Sequence, residues 1–258
     1  MPTTTPLTDA INALTRYANE TTGASDTTLS DAVGTLVAGY GQGGGGEWTT
    51  DGIANGSEPS GAITISASVS TIVSRAFFER TGITSVTLEG SPFLGNYAFS
   101  GCSNMETLYA PGLEKMAQNR YNTAQYVFQN CKKLKAVAFP SYTNQPVDSY
   151  NFQNCTSLEA ADFAQVQRFG NTFVGCTALR TLVLRGSAVA TLNSGWSANS
   201  LGGIYSNPTA STVYVPSAMI SSYQTASGWS NAYSAGVTFA AIEGSQYETA
   251  YADGTPIE

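Results

Sequence analysis

The sequence predicts a mainly β fold: a solenoid of stacked repeats with capped ends, preceded by a short N-terminal helical hairpin. Three observations carry this. Between Ala76 and Leu184 a phenylalanine recurs five times, with a fixed position three residues later and an apolar residue three beyond that: Phe77-Arg80-Ile83, Phe99-Cys102-Met105, Phe128-Cys131-Leu134, Phe152-Cys155-Leu158 and Phe173-Cys176-Leu179. Strand-like pairs follow nine and eleven residues after each phenylalanine: Val86/Leu88, Leu108/Ala110, Val137/Phe139, Ala161/Phe163 and Leu182/Leu184. Both offsets are odd, so each pair shares one face of a strand. The phenylalanines lie 22, 29, 24 and 21 residues apart, a repeat length at which one unit cannot bury its apolar edge alone. Stacking hides each edge against the next, and each buried ring then contributes roughly 1.5–3 kcal/mol.

Taken in order, residues 1–40 read as a helical anchor and oligomerisation module. Leu7, Ile11 and Leu14 fall at helical spacing behind Thr5-Pro6, which suits a cap with proline in the first turn. Asp26 caps a second helix presenting Leu29, Val33 and Leu36. A hairpin below ~40 residues rarely folds alone, so these faces are expected to bury against copies of the chain, a trimer being one arrangement, or against a partner. Residues 41–46 are a glycine linker. They match G-x-G-x-x-G formally, but a helix precedes them and Glu47-Trp48-Thr49-Thr50 follows, the wrong context for a dinucleotide.

Residues 47–75 form the expected N-terminal cap of the solenoid, with Ile53, Ile63, Ile65, Val69 and Ile72 in strands around the turn at Glu58-Pro59-Ser60-Gly61. The solenoid itself spans 76–216. Its segments AFSGCSNMETL (98–108), VFQNCKKLKAV (127–137), NFQNCTSLEAA (151–161) and TFVGCTALRTL (172–182) resemble the BspA-type leucine-rich repeat. The resemblance implies a leucine-rich-repeat solenoid. Arg80 departs from the cysteine position, which suits an end coil. Thr212-Val213-Tyr214-Val215-Pro216 resembles one more rung. Residues 217–258 are expected to be a C-terminal cap and acidic tail: a helix over 217–229 with Met219, Ile220 and Tyr223 inward, then a strand at Val237-Phe239-Ala241. The order "VYVPSAMISSYQTASGWSNAY" looks like the closing unit of BspA-type arrays in phage proteins.

Composition narrows the function. There is no histidine, which removes the commonest general base and metal ligand. Cys102, Cys131, Cys155 and Cys176 share one repeat phase. A ladder sets its rungs in a line about 4.8 Å apart, whereas zinc needs convergence and a disulfide needs Cβ atoms about 3.8 Å apart. They read as buried thiols, and no metal or cofactor is expected. Glu159 and Asp162 are three apart and point to opposite faces, so they are not a catalytic carboxylate pair. Charge is −6 over residues 1–74, +3 over 75–185 and −4 over 186–258, far from a nucleic-acid footprint. Lys132, Lys133 and Lys135 read either as a solvated turn or as a contact for an acidic glycan or phosphate. No apolar stretch is long enough to span a membrane, and the N-terminus does not read as a secretory signal.

The longest repeat carries an insertion at 112–125, and insertions in solenoids often carry binding. Tyr121, Tyr142, Tyr150 and Trp196 are the candidates for stacking on sugars or packing on a protein receptor. The alternative for each is padding of the solenoid's own edge. The block "LTDAINALTRYANETTG … TTLSDAVGTLVAGYGQGGGG" looks like the start of prophage-encoded minor structural proteins of Gram-positive gut bacteria. That resemblance implies a non-enzymatic virion component, tail- or fibre-associated. Its helices would join other virion proteins, and its solenoid would meet a host cell-surface protein or polysaccharide. A bacterial surface adhesin of the BspA type and a purely decorative virion component are the other expectations.

Overall fold

A computed structural model describes residues 60–248 apart from 73, 120, 121, 144, 148 and 194, together with the backbone of Glu47–Trp48; at 117–119, 122 and 123 it describes the backbone alone. The helical hairpin with its apolar residues Leu7, Ile11, Leu14, Leu29, Val33 and Leu36, the glycine linker and Ile53 lie outside the described residues.

Among the described residues, nine parallel strands form one sheet whose spatial order is the order of the chain. They are β1 (Glu47–Trp48), β2 (Gly61–Ile65), β3 (Ile83–Leu88), β4 (Thr107–Tyr109), β5 (Ala136–Phe139), β6 (Ala160–Phe163), β7 (Thr181–Leu184), β8 (Thr212–Val215) and β9 (Thr238–Ala241). Each coil adds one strand beside the last, as a solenoid requires. The register keeps the repeat phase: Ala161 pairs with Val137 and Leu182, Phe163 with Phe139 and Leu184. All ten side chains of the nine-and-eleven pairs are buried.

The five phenylalanines stack as one column. Ring centroids are 4.8 Å apart for Phe77–Phe99, 5.5 Å for Phe99–Phe128 and for Phe128–Phe152, and 5.8 Å for Phe152–Phe173, with interplanar angles of 19° or less. Beside them runs the thiol column. Cys102, Cys131, Cys155 and Cys176 donate to the carbonyls of Phe77, Phe99, Phe128 and Phe152, each on the preceding coil, at 3.2, 3.4, 3.1 and 2.8 Å. A thiol is small enough for the slot and gives a second donor to a carbonyl that already accepts the backbone N–H three residues on. Burial pushes the Cys102 thiol up to about 12 and raises the other three. Cys155→Ala is therefore expected to lower stability by about 1 kcal/mol. In the native protein all four thiols should resist a disulfide labelling reagent until the chain unfolds; rapid native labelling would contradict the buried column.

Two residues past each phenylalanine the backbone turns left-handed, at Glu79, Gly101, Asn130, Asn154 and Gly175 (φ +58 to +82°). Glycine and asparagine tolerate that conformation best, which explains their recurrence at this phase. A second strand column precedes the phenylalanines. It comprises Gln145–Val147, Val166–Phe169 and Thr191–Leu192 in one parallel sheet, and Thr71–Ile72 with Phe93–Leu94 in another. Of its strands the sequence reading contains only the one at Ile72, although Leu94 and Val147, like Ile72, sit five residues before their phenylalanines and are buried. Within the insertion, Ala117–Asn119 pairs antiparallel with Asn122–Thr123.

The far end is closed differently from expectation. Helix α1 (Ala198–Ser206), capped by the Ser197 side chain, falls where no element is predicted. Its Leu201 and Ile204 are fully buried, and the Gly203 amide donates to Cys176 O at 2.8 Å. Gly202, at φ +50°, lies so close that a Cβ there would sit 2.7 Å from Phe173 O. The helix thus caps the phenylalanine and thiol columns at once. The helix expected over 217–229 is split: a 3-10 turn at Ser217–Met219 leads into α2 (Ile220–Thr225), and α3 (Trp229–Ser234) restarts after Gly228, at φ +82°. Tyr223 and Trp229 are buried as the closing plug. Trp229 Nε1 donates to Ala190 O at 2.6 Å, and Tyr223 Oη accepts from Ala190 N at 3.0 Å. Strand β9 extends the main sheet beyond that plug.

Candidate functional site on the outer sheet face

Side chains ten residues past each phenylalanine have the opposite parity to the core pairs and point out of the sheet. They are Thr87, Tyr109, Ala138, Asp162 and Val183. Here Ala138, Asp162 and Val183 are buried, at 1%, 1% and 0% exposure. The segment after β9 folds back across them. Ile242 and Tyr247 pack with Ala138 and Val183, and the Tyr247 ring lies 4.6 Å from that of Tyr214 on β8. The first part of the acidic tail is therefore ordered on the protein's own sheet.

An ion pair fastens this strap. Arg185 grips Asp162 with Nε at 3.0 Å from Oδ1 and Nη2 at 2.7 Å from Oδ2, and the same Nη2 donates to the carbonyl of Tyr247 at 2.8 Å. Asp162 and Arg185 come from adjacent coils, so the fork spans the sheet and reaches the strap together. Burial raises the Asp162 pKa above the ordinary carboxylate value, and the guanidinium offsets only part of that. Glu159, by contrast, is exposed. Glu159 lies just before β6, so the strand parity behind the expected opposite faces does not govern it.

Next to the strap lies a cavity of about 500 Å³ lined by Lys135, Ala136, Glu159, Ala160, Ala178, Arg180, Thr181 and Tyr247. Seven residues past successive phenylalanines stand Glu106, Lys135, Glu159 and Arg180, alternating in sign along the solenoid. Their backbones are joined coil to coil: Lys135 N to Glu106 O, Glu159 N to Lys135 O, Arg180 N to Glu159 O. Arg180 is oriented by its own turn, with Nη1 donating to Thr177 O at 2.9 Å and Leu179 O at 2.8 Å. The floor is alanine and threonine, so the backbone is approachable. One wall is aromatic, and charged groups of both signs stand at the rim. This arrangement positions and discriminates; among the described residues no cluster could hold a metal ion.

The sequence-predicted contact residues fall elsewhere. Tyr142 is a correction: it is 1% exposed, its ring packs 5.7 Å from that of Phe163, and its hydroxyl donates to Pro146 O at 2.9 Å. It is a core residue and cannot meet a ligand. Tyr150 is half-buried in a stack with Tyr126, so one ring face is already taken. Trp196 is half-buried against the core, 5.0 Å from Tyr205, which is 41% exposed and was not singled out from sequence. Tyr121 lies outside the described residues. Tyr142, Tyr150 and Trp196 thus occupy three different surroundings. Of the basic cluster, Lys132, Lys133 and Lys135 are all exposed, and Lys135 lines the cavity. The sequence signal that would have found this face is the charge alternation at one phase.

Compared with known families, residues 56–180 and 115–202 match the BspA type leucine rich repeat region in six copies. No curated protein and no solved structure matches the chain.

Proposed function

We propose that this chain, which belongs to the BspA-type leucine-rich repeat family, is a non-enzymatic binding protein whose solenoid is its recognition module. Leucine-rich repeat domains are typically non-catalytic binding modules, and solenoids present extended surfaces on rigid scaffolds. The observation that carries the reading is the outer sheet face, where Lys135, Glu159 and Arg180 alternate in charge around a cavity walled by Tyr247. Mixed charge at a rim with an aromatic wall favours a protein partner, because charge complementarity sets register and rejects wrong partners. No described helix is long and apolar enough to cross a membrane.

The finer placement is a phage particle, with the N-terminal helices attached to other virion proteins and the solenoid turned toward the host surface. Its support is the resemblance of the N-terminal block through the glycine linker, and of the closing unit VYVPSAMISSYQTASGWSNAY, to phage proteins. The bacterial adhesin and the decorative virion component remain the competing placements. Fractionating a native producer separates them: recovery in particles supports the virion, recovery in the cell wall supports the adhesin.

The binding surface has its own test. In cells that capture the full chain, Lys135→Glu combined with Arg180→Glu is expected to weaken capture at least tenfold, equivalent to about 1.4 kcal/mol, with an unchanged circular dichroism spectrum. Unchanged capture would place recognition on another face.

A further inference from the structure

Two residues before Phe99, Phe128 and Phe152, on a different edge of the solenoid, a second aromatic column stands at the surface. Tyr97 and Tyr126 stack at 4.8 Å with their planes 6° apart, and Tyr126 and Tyr150 at 5.1 Å and 4°. All three are half-buried. All three are also left-handed, at φ +59°, +58° and +63°, a conformation that costs a bulky L-residue roughly 1–2 kcal/mol. The turn is held by the ladder: Tyr97 N donates to Gln125 O, Tyr126 N to Ser149 O and Tyr150 N to Asn171 O. The Arg75 guanidinium sits 5.4 Å from the Tyr97 ring at one end, and Asn171 Nδ2 donates to the Tyr150 hydroxyl at 3.1 Å at the other. The facing ring surfaces are spent on one another, so sugars cannot stack between the three rings. What remains accessible is ring edges and phenol groups, held in pairs. Partial burial, reinforced by the phenols of Tyr97 and Tyr150, raises the Tyr126 pKa, so the species present near neutral pH is the phenol.

We propose that Tyr97, Tyr126 and Tyr150 form an oxidative cross-linking site at which a peroxidase-type one-electron oxidant, supplied with hydrogen peroxide, joins neighbouring coils through a dityrosine bond. Each of two adjacent phenols loses one electron and its hydroxyl proton. The two phenoxyl radicals couple, forming one carbon–carbon bond between ring carbons ortho to the hydroxyls. Each of those carbons then gives up its hydrogen as a proton while a proton returns to each oxygen, restoring both phenols. In sum, two tyrosines and one hydrogen peroxide give one dityrosine and two waters. Tyr126, in the middle, belongs to every such link. The cysteines do not compete, being buried with their thiolate forms disfavoured. Tyr205 and Tyr233, the most exposed described aromatics at 41% and 50%, pack against Trp196 and Phe239 rather than another tyrosine. They are internal controls for links between molecules.

The test treats the dilute full chain with a haem peroxidase and substoichiometric hydrogen peroxide, then maps dityrosine peptides in the monomer fraction by mass spectrometry. The expected products are intramolecular 97–126 and 126–150 links, with a higher denaturation midpoint for the linked monomer. Tyr126→Phe keeps the stack and should cut the yield at least tenfold. The double variant Tyr97→Phe/Tyr150→Phe, which isolates Tyr126, should do the same, and Tyr205→Phe/Tyr233→Phe should leave the yield unchanged. Links that map only between molecules or to other tyrosines, or an unchanged yield in Tyr126→Phe, would overturn the proposal.

Discussion

Replacing Arg185 by alanine is expected to cost about 3–5 kcal/mol at neutral pH, because it strands the Asp162 carboxylate in a buried position. Asp162 is 1% exposed, and Arg185 is its charged partner in a forked contact. Proton uptake limits the loss. Protonating a carboxylate of ordinary pKa 3.8 at pH 7 costs about 1.4 kcal/mol per pH unit, or roughly 4 kcal/mol in all. The pH dependence has a definite sign. Burial raises the native pKa of Asp162, so the native state binds more protons than the unfolded chain between 3.8 and the raised value. Its contribution to stability therefore falls as pH rises through that window and is level above it. Removing the arginine removes what held the pKa down, so the window widens upward. Arg185→Ala should lose clearly more stability at pH 7 than at pH 4 relative to the parent protein. Adding Asp162→Asn should recover most of the loss and flatten the difference. Urea unfolding at the two pH values reads all of this, and equal losses at both would show that Asp162 is not the buried charge at issue. Arg185 also holds the Tyr247 carbonyl, so faster amide exchange over 242–248 should accompany the variant.

Phe128→Ala is the second large effect, also about 3–5 kcal/mol. Phe128 is fully buried at the middle of its column, with Phe99 and Phe152 each at 5.5 Å. Two stacks are lost, and neither neighbour can collapse into the hole, because the strand register fixes the coil spacing. Phe77 stands in the first of the five repeats, with Phe99 stacked on it at 4.8 Å. A coil there can fray without parting the rest. In a solenoid whose stability is a chain of nearest-neighbour terms, Phe128→Ala should weaken the middle and split the urea transition into two. Phe77→Ala should lower amide protection in the first coils alone. A loss below about 1 kcal/mol for Phe128→Ala would mean that the column is not what joins the coils.

Much of the solenoid was legible before any coordinates. The recurrence of phenylalanine, thiol and odd-offset apolar pairs at one phase is a one-dimensional signal, and stacking turns phase directly into spatial neighbours. For that reason Phe163 and Leu184 could be placed on one inner face by counting alone. Tyr142 shows where counting stops. Between repeats no phase applies, and whether an aromatic ring turns in or out depends on what the loop packs against; here the Phe139 and Phe163 rings leave it a slot. Helix α1 was missed because its apolar residues are few and Gly202 interrupts it, yet it closes both columns. Beyond the strand at Ile72 the second strand column was missed because its strands are two to four residues long.

The sequence by itself determined the repeat, its register, the inner face and the burial of the thiols, since all of these follow from spacing between adjacent coils. Tertiary structure alone decided the candidate site. Tyr247 meets Arg185, 62 residues earlier, only because the chain doubles back after its last strand. No local pattern records that return: it depends on an apolar patch made by Ala138, Val183 and Tyr214 from three different coils, which comes into being when the coils are stacked.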